Sequence, residues 1–486
     1  MKSKWSIAIA VVLAVALVVT LSMIGCKTTE TAETTAAAET TAAAETTAAA
    51  ETTAAAETTA AAEETTAAAG GTLKIVWAQW APADYLQKLS EGFTAETGIT
   101  VIVEQIPWDT FVQKYNTEMI AQNPTWDIIV GDSQDVGAMS TGGHYVNLTQ
   151  WIKDNGVLDS FTPASMTYYA EYPKGAGEYW GIPVEGDALG WSYRKDLFED
   201  PENMAAFEEE YGYPLDIPVS WDALLDIAEF FHDPDNNQYG VAIYGDNGYD
   251  SMVMFAEQVI WAYGGDLGDY STNQVEGILN SQASVDGIEY YNKLFKFNPP
   301  AFNDAFFIHT NDAFVAGQVP MATNYFAFFP GLANEATNPY AADTGYFVCP
   351  PQKGRDGVER QFAALGGQAA SVVTYSPNQD LAFKWLEWFI RADVQLEWAK
   401  LGGYTCHAET LASDEFLNAT PYNPAFAKSM EIFKDFWAVP EYSELLKTMS
   451  ATVGPYVISD TGTAQEALDA CAAEWTRIFT DAGYYD

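Results

Sequence analysis

Apolar and polar positions divide the chain into three regimes. Residues 7–19 form a short unbroken apolar run, preceded by Lys2 and Lys4 and followed by Met23-Ile24-Gly25-Cys26. A basic start, an apolar stretch well short of the ~20 residues a bilayer span needs, and small residues before a cut predict a removable secretory segment over residues 1–25. From residue 26 to 70 no aromatic or large aliphatic residue occurs, and Glu-Thr-Thr-Ala-Ala-Ala repeats five times between Glu33 and Ala62. This stretch cannot bury enough surface to offset its ordering entropy, and paired threonines with a six-residue period oppose a regular helix. The expectation is a polar spacer, spanning about 35 Å as a flexible coil.

From residue 71 onward the pattern is that of a folded body, long enough for two lobes. Leu73–Trp77 reads as a strand and residues 83–96 as an amphipathic helix ended by Gly98. Ile99–Val103 reads as a second strand, and a helix follows around Phe111–Ala121. The run Trp126–Val130 is apolar enough for a central parallel strand. Strands alternating with helices predict a sheet covered on both faces, with ligands bound beyond the carboxyl ends of its strands. Those ends carry Gln79-Trp80-Ala81 and Gly131-Asp132-Ser133-Gln134-Asp135. Leu381, Trp385, Trp388 and Phe389 share one helical stripe, and Leu468, Cys471, Trp475 and Ile478 another, so both sets are expected in the core.

Charge narrows the partners. With 22 basic and 67 acidic residues the net charge is −45, a field that disfavours nucleic acid and anionic lipid headgroups. Four cysteines say little: besides Cys26, only Cys349, Cys406 and Cys471 remain, and their pairing is left open. No Gly-x-Ser-x-Gly, His-Glu-x-x-His or phosphate-cradling Gly-Lys loop occurs, and His144, His232, His309 and His407 lack metal-ligand spacing. Asp233–Asn237 has the acidic look of a calcium loop. Gln238 stands where such a loop needs glycine and Tyr244 where it needs glutamate, so a polar turn is expected. Neither a metal nor a cofactor is called for.

Two resemblances add to this reading. Gly25-Cys26 resembles the lipobox of bacterial lipoproteins, which implies acylation of Cys26 and a body held at the outer face of a membrane, extracellular or periplasmic. The segments Leu73–Val103 and Pro124–Gly143 resemble the opening of extracellular solute-binding proteins of the maltose-binding, sugar-transport family. Gly181-Ile182-Pro183 with Tyr193–Phe198, Pro218–Leu224, and Gly366-Gly367 with Ser376–Ala382 follow in that family's order. The resemblance implies an α/β, two-lobed periplasmic-binding-protein-like fold with the ligand cleft between lobes. It places a first lobe at 71–186 and 369–432 and a second at 187–368 and 433–486, behind a signal segment (1–25) and a lipid-anchored tether (26–70). It implies a monomeric binding protein, not an enzyme, that passes a small carbohydrate to the permease subunits of an ABC importer.

A sugar site needs carboxylates and amides for hydroxyls and aromatic rings for C–H faces. The resemblance places Trp80, Asp132, Ser133, Gln134, Asp187, Trp261, Tyr325, Gly366 and Gly367 at the cleft, with Gln368 where many relatives carry tryptophan. Each keeps a plainer alternative. Trp80 serves equally as a surface anchor of its lobe, Asp132 and Ser133 as helix caps, and Tyr325 as a core ring among Phe326, Phe328 and Phe329. The scarcity of basic residues among these candidates favours a neutral ligand. The rival reading is an extracellular glycoside hydrolase using a carboxylate pair, against which no eightfold strand–helix repeat occurs.

Overall fold

The computed structural model describes residues 70–248 and 251–485. The secretory segment, Cys26 and the repeats lie outside the described residues.

Ten strands are formed: β1 (Thr72–Ala78), β2 (Thr100–Ile106), β3 (Ile128–Asp132), β4 (Ile182–Arg194), β5 (Met321–Tyr325), β6 (Thr344–Val348), β7 (Gln352–Lys353), β8 (Glu359–Arg360), β9 (Ala363–Val372) and β10 (Phe433–Lys434). The main sheet runs β2-β1-β3-β9-β4-β5, with β10 beside β9 and β6 beside β4, while β7 and β8 form a separate hairpin. β1 lies parallel to β2 and β3. β9 is antiparallel to both β3 and β4.

Strand β4 holds the two lobes together. Its first half, Ile182–Ala188, pairs with β9, and its second half, from Leu189, is flanked by β5 and β6. One curled sheet therefore passes from the lobe of β1–β3 into the lobe of β5 and β6. Of the thirteen residues of β4 all but Tyr193 are buried, which is why its sequence lacks the alternation of a half-exposed strand.

The helices cover this sheet as the periodicity predicts. Helix Ala81–Thr97 buries Ala83, Leu86, Leu89 and Phe93, and Gly98 ends it at φ 73° with its N–H on the Thr94 carbonyl at 2.9 Å. Ser220 caps helix Trp221–Phe230 by accepting the Ala223 amide at 3.0 Å. In helix Gln379–Phe389 the Trp385 ring stacks on Phe389 at 4.9 Å, and its N–H reaches the Ser90 hydroxyl at 3.2 Å. Leu468, Cys471, Trp475 and Ile478 are buried along helix Ala464–Asp481. Each such side chain contributes about 1.5–3 kcal/mol by leaving water. Cys349, Cys406 and Cys471 are all buried free thiols, so no disulfide joins them. Pro234–Asn236 is a single 3₁₀ turn ending at Asn237 with φ 58°, the expected polar turn. Among the described residues no helix is long and apolar enough to cross a membrane.

One sequence expectation needs adjusting. The strand read at Trp126–Val130 lies at Ile128–Asp132 and is parallel to one neighbour only. Asp127 causes the shift: its carboxylate takes the Lys74 amide at 2.7 Å, the Ser376 hydroxyl at 2.6 Å and the Asn378 side chain at 3.2 Å. The antiparallel neighbour β9 arrives from more than two hundred residues later, and nothing local announces it.

Candidate ligand-binding site

Two groups of side chains meet where the lobes join. The first sits on the paired crossing strands, where Asp187 faces Gly366 and Gly186 faces Gly367. Gly367 has φ +107°, and a Cβ there would lie 2.3 Å from the Glu185 carbonyl oxygen. A Cβ on Gly366 would lie 2.8 Å from the Tyr325 ring. The glycine pair is thus required by close packing of backbone and rings. Into the space it leaves comes Tyr169, whose hydroxyl donates to the Gly366 carbonyl at 2.6 Å and accepts the Asp187 amide at 3.1 Å. The Asp187 carboxylate, 4% exposed, accepts the amides of Ala188 at 2.8 Å and Ala327 at 3.4 Å.

The second group lies between the lobes. Lys174, from the segment ahead of β4, holds its ammonium 4.1 Å from the Tyr168 ring of its own lobe and 4.4 Å from Tyr270 of the other. Lys434, on the third strand to join the crossing, pairs with Asp266 at 2.7 Å and lies 4.9 Å from the Trp261 ring. Trp261 donates its N–H to the same Asp266 at 3.2 Å. Asp435, 3% exposed, accepts the Phe436 amide at 2.8 Å and bonds the Ser133 hydroxyl. Two cavities flank these residues. One, of about 320 Å³, is lined by Trp261, Asp266, Arg360, Phe362 and Lys434. The other, of about 210 Å³, lies between Thr167–Lys174, Tyr270–Asn273 and Asp435–Val439.

The candidates named from the sequence therefore divide. Asp187, Tyr325, Gly366 and Gly367 converge on the crossing strands. Asp132 ends β3 and pairs with Gln368 of β9, and Ser133 and Gln134 open the turn after it, where the Ser133 hydroxyl bonds Asp435. Trp261 belongs to the Lys434–Asp266 group. Trp80 packs edge-on to Trp77 at 5.4 Å and Trp108 at 5.5 Å; among the described residues it shares no ring contact or hydrogen bond with the crossing group.

This cleft-forming arrangement agrees with what the chain is similar to. The family model for bacterial extracellular solute-binding proteins matches residues 77–396. The chain belongs to that family. A maltotriose-binding protein of Pyrococcus abyssi is 23% identical over a segment covering 65% of this chain and 62% of that protein, so the match spans under two thirds of the relative's length. A solute-binding protein of Agrobacterium radiobacter K84, solved in complex with ribitol, superposes with TM-score 0.68 at 22% identity, covering 84% of this chain and 99% of that one. The maltose-bound T. maritima MalE3 superposes with TM-score 0.68 at 20% identity, over 84% and 100%. At these identities the solved structures establish the two-lobed fold.

In this solute-binding protein several cleft residues were not read from sequence: Tyr168, Tyr169, Lys174, Asp266, Tyr270 and Asp435. The signal for the last was present, since Phe433-Lys434-Asp435-Phe436-Trp437 sets two charges inside an aromatic run. Lys174 and Tyr270 sit in turn segments with no distinguishing pattern.

Burial dominates the site's electrostatics. It pushes the Asp187 carboxyl up to about 8 against the opposing amides of Ala188, Ala327 and Phe326. It raises Asp435 to about 7 against the Ser133 hydroxyl, and Asp135 to about 7. Glu185 is driven well above the carboxylate range, first by burial and then by Asp187. A carboxyl raised in the fold holds its proton where the unfolded chain has lost it, so its stabilising contribution falls as pH rises from about 4 through 8. His144, His232 and His407 are lowered by burial, and they cost stability below about pH 6.5. The ligand-free protein is therefore expected to be more stable near pH 5.5–6 than at pH 8. Asp187→Asn should gain about 1–3 kcal/mol at pH 8 and flatten that slope, as read by urea unfolding across the pH range. An unchanged slope in Asp187→Asn would contradict the assignment.

Proposed function

We propose that this chain is a substrate-binding lipoprotein that captures a small neutral carbohydrate or polyol in the cleft between its lobes and delivers it, unaltered, to an ABC importer. Closure of the lobes biases an existing open–closed equilibrium, and no bond is made or broken. Cys26 carries the lipid, and the spacer to residue 70 lets a monomeric body stand off the outer face of the membrane. The lobes divide at 186/187, 368/369 and 432/433. Asp132, Ser133, Gln134, Asp187 and Trp261 contribute to the ligand site, with Trp80 at its edge, while Tyr325 packed over Gly366-Gly367 supports it from behind.

One observation carries this reading. In a chain of this family, the cavity between the lobes is rimmed by tyrosine and tryptophan rings together with two carboxylates and a lysine, the mixture hydroxyl-rich ligands require. The ribitol, maltose and maltotriose bound by similar proteins belong to that chemical class.

A thermal-shift screen of ribitol, mannitol, maltose and maltotriose against amino acids and dicarboxylates tests it. A bound sugar or polyol at a hundred times its Kd is expected to add about 2.7 kcal/mol. A shift confined to amino acids or dicarboxylates would overturn the carbohydrate reading.

A further inference from the structure

Lys174 and Asp435 line the same cavity of about 210 Å³, and each lacks what the other has. The Lys174 ammonium lies over two tyrosine rings, at 4.1 and 4.4 Å, and among the described residues it makes no hydrogen bond or ion pair. Ring faces attract a cation without engaging its three N–H donors, which stay available to an oxygen acceptor in the cavity. Crowding by protein, and then Lys434, lowers this ammonium to about 8, against the nearby Asp435, Asp266 and Glu171. Asp435 is buried with two donors on it, the Phe436 amide and the Ser133 hydroxyl, which leaves lone-pair capacity unused. Glu171, also on the cavity wall, already accepts the Gly177 amide at 2.7 Å.

A hydroxyl is the group that satisfies both. Its oxygen accepts from an ammonium while its hydrogen goes to a carboxylate, whereas a ligand carboxylate would meet Asp435, Asp266 and Glu171 with like charge. A ligand ammonium would meet Lys174 and Lys434 in the same way. We propose that Lys174 and Asp435 hold one ligand hydroxyl between them as paired donor and acceptor, and that this pair selects a neutral hydroxylated ligand over its acid and amine counterparts. The inference rests on the carbohydrate-capture reading above. It replaces the sequence argument for neutrality: two lysines do reach the cleft, and carboxylates balance them. The two rings under the ammonium come from segments far apart in the chain, Tyr168 ahead of β4 and Tyr270 after it.

Matched trios test it on the full chain: glucose, glucuronate and glucosamine; ribitol, ribonate and 1-amino-1-deoxyribitol; maltose, maltobionate and 1-amino-1-deoxymaltitol. Melting-temperature shifts rank the members, and calorimetry on the best neutral member gives Kd for wild type, K174M, K174R, D435N and the K174M/D435N double variant. The neutral member should win its trio. K174M and D435N should each weaken it roughly ten- to hundredfold, K174R should weaken it less, and the double variant should lose clearly less than the product of the singles. An acid or amine that outbinds its neutral partner overturns the proposal, as do single losses that multiply independently. Should D435N fail to fold, the contrast between K174M and K174R, at an exposed residue, decides. A flat response to every trio sinks the carbohydrate reading itself and the pair with it.

Discussion

Gly367→Ala is expected to be among the most damaging single-methyl changes in the body, destabilising it by about 3–5 kcal/mol. Two costs combine. At φ +107° an L-residue is strained by about 1–3 kcal/mol. Its Cβ would also stand 2.3 Å from the Glu185 carbonyl and 2.8 Å from the Tyr169 hydroxyl, and overpacking of that kind costs about 1–3 kcal/mol more. The backbone oxygen cannot rotate away, since β4 and β9 are paired along this stretch. The effect reaches function because these strands connect the lobes. Gly143→Ala is the control: φ is +71° but a Cβ there meets nothing within 4 Å, so it should cost about 1 kcal/mol. Urea unfolding of the two variants measures the difference. Equal, small losses would show that the crossing strands tolerate separation.

Tyr325→Ala should lose about 3–5 kcal/mol, the cost of emptying a large buried aromatic site. The side chain is 6% exposed, packs 6.4 Å from Tyr244, and fills the gap over Gly366. Tyr325→Phe keeps that packing while giving up the bond to the Leu365 carbonyl at 3.5 Å, so it should cost clearly less than Tyr325→Ala. If Tyr325→Ala unfolds like the parent yet binds sugar more weakly, the ring is a ligand platform rather than part of the core. The sequence left those roles open because Tyr325 stands beside three phenylalanines, and position in a list cannot tell a core ring from a cleft ring.

What the sequence revealed follows from the range of the interactions involved. Helix Ala81–Thr97, its end at Gly98 and the cap at Ser220 depend on neighbours within a few residues, so periodicity and cap chemistry were enough. The placement of β9 between β3 and β4 depends on partners far along the chain, and the local pattern of Ala363–Val372 does not name them. The cleft divides in the same way. Asp187 and Gly366-Gly367 were reachable through motif order, while their mutual pairing was not. Lys174 and Tyr270 meet only because two distant turns face each other across the lobes, so neither carried a signal. Asp435 is legible in principle, as an acid inside an aromatic run, but its burial is a tertiary fact that the local sequence does not carry.

The central claim is capture without chemistry. Incubating the full chain with end-labelled maltotriose and labelled ribitol, isolating the complex and analysing what it releases tests that claim most directly. The account predicts one equivalent of unaltered sugar or polyol per chain, recovered intact after prolonged incubation. Shortened oligosaccharide accumulating with time and in proportion to protein would contradict it and restore the hydrolase reading.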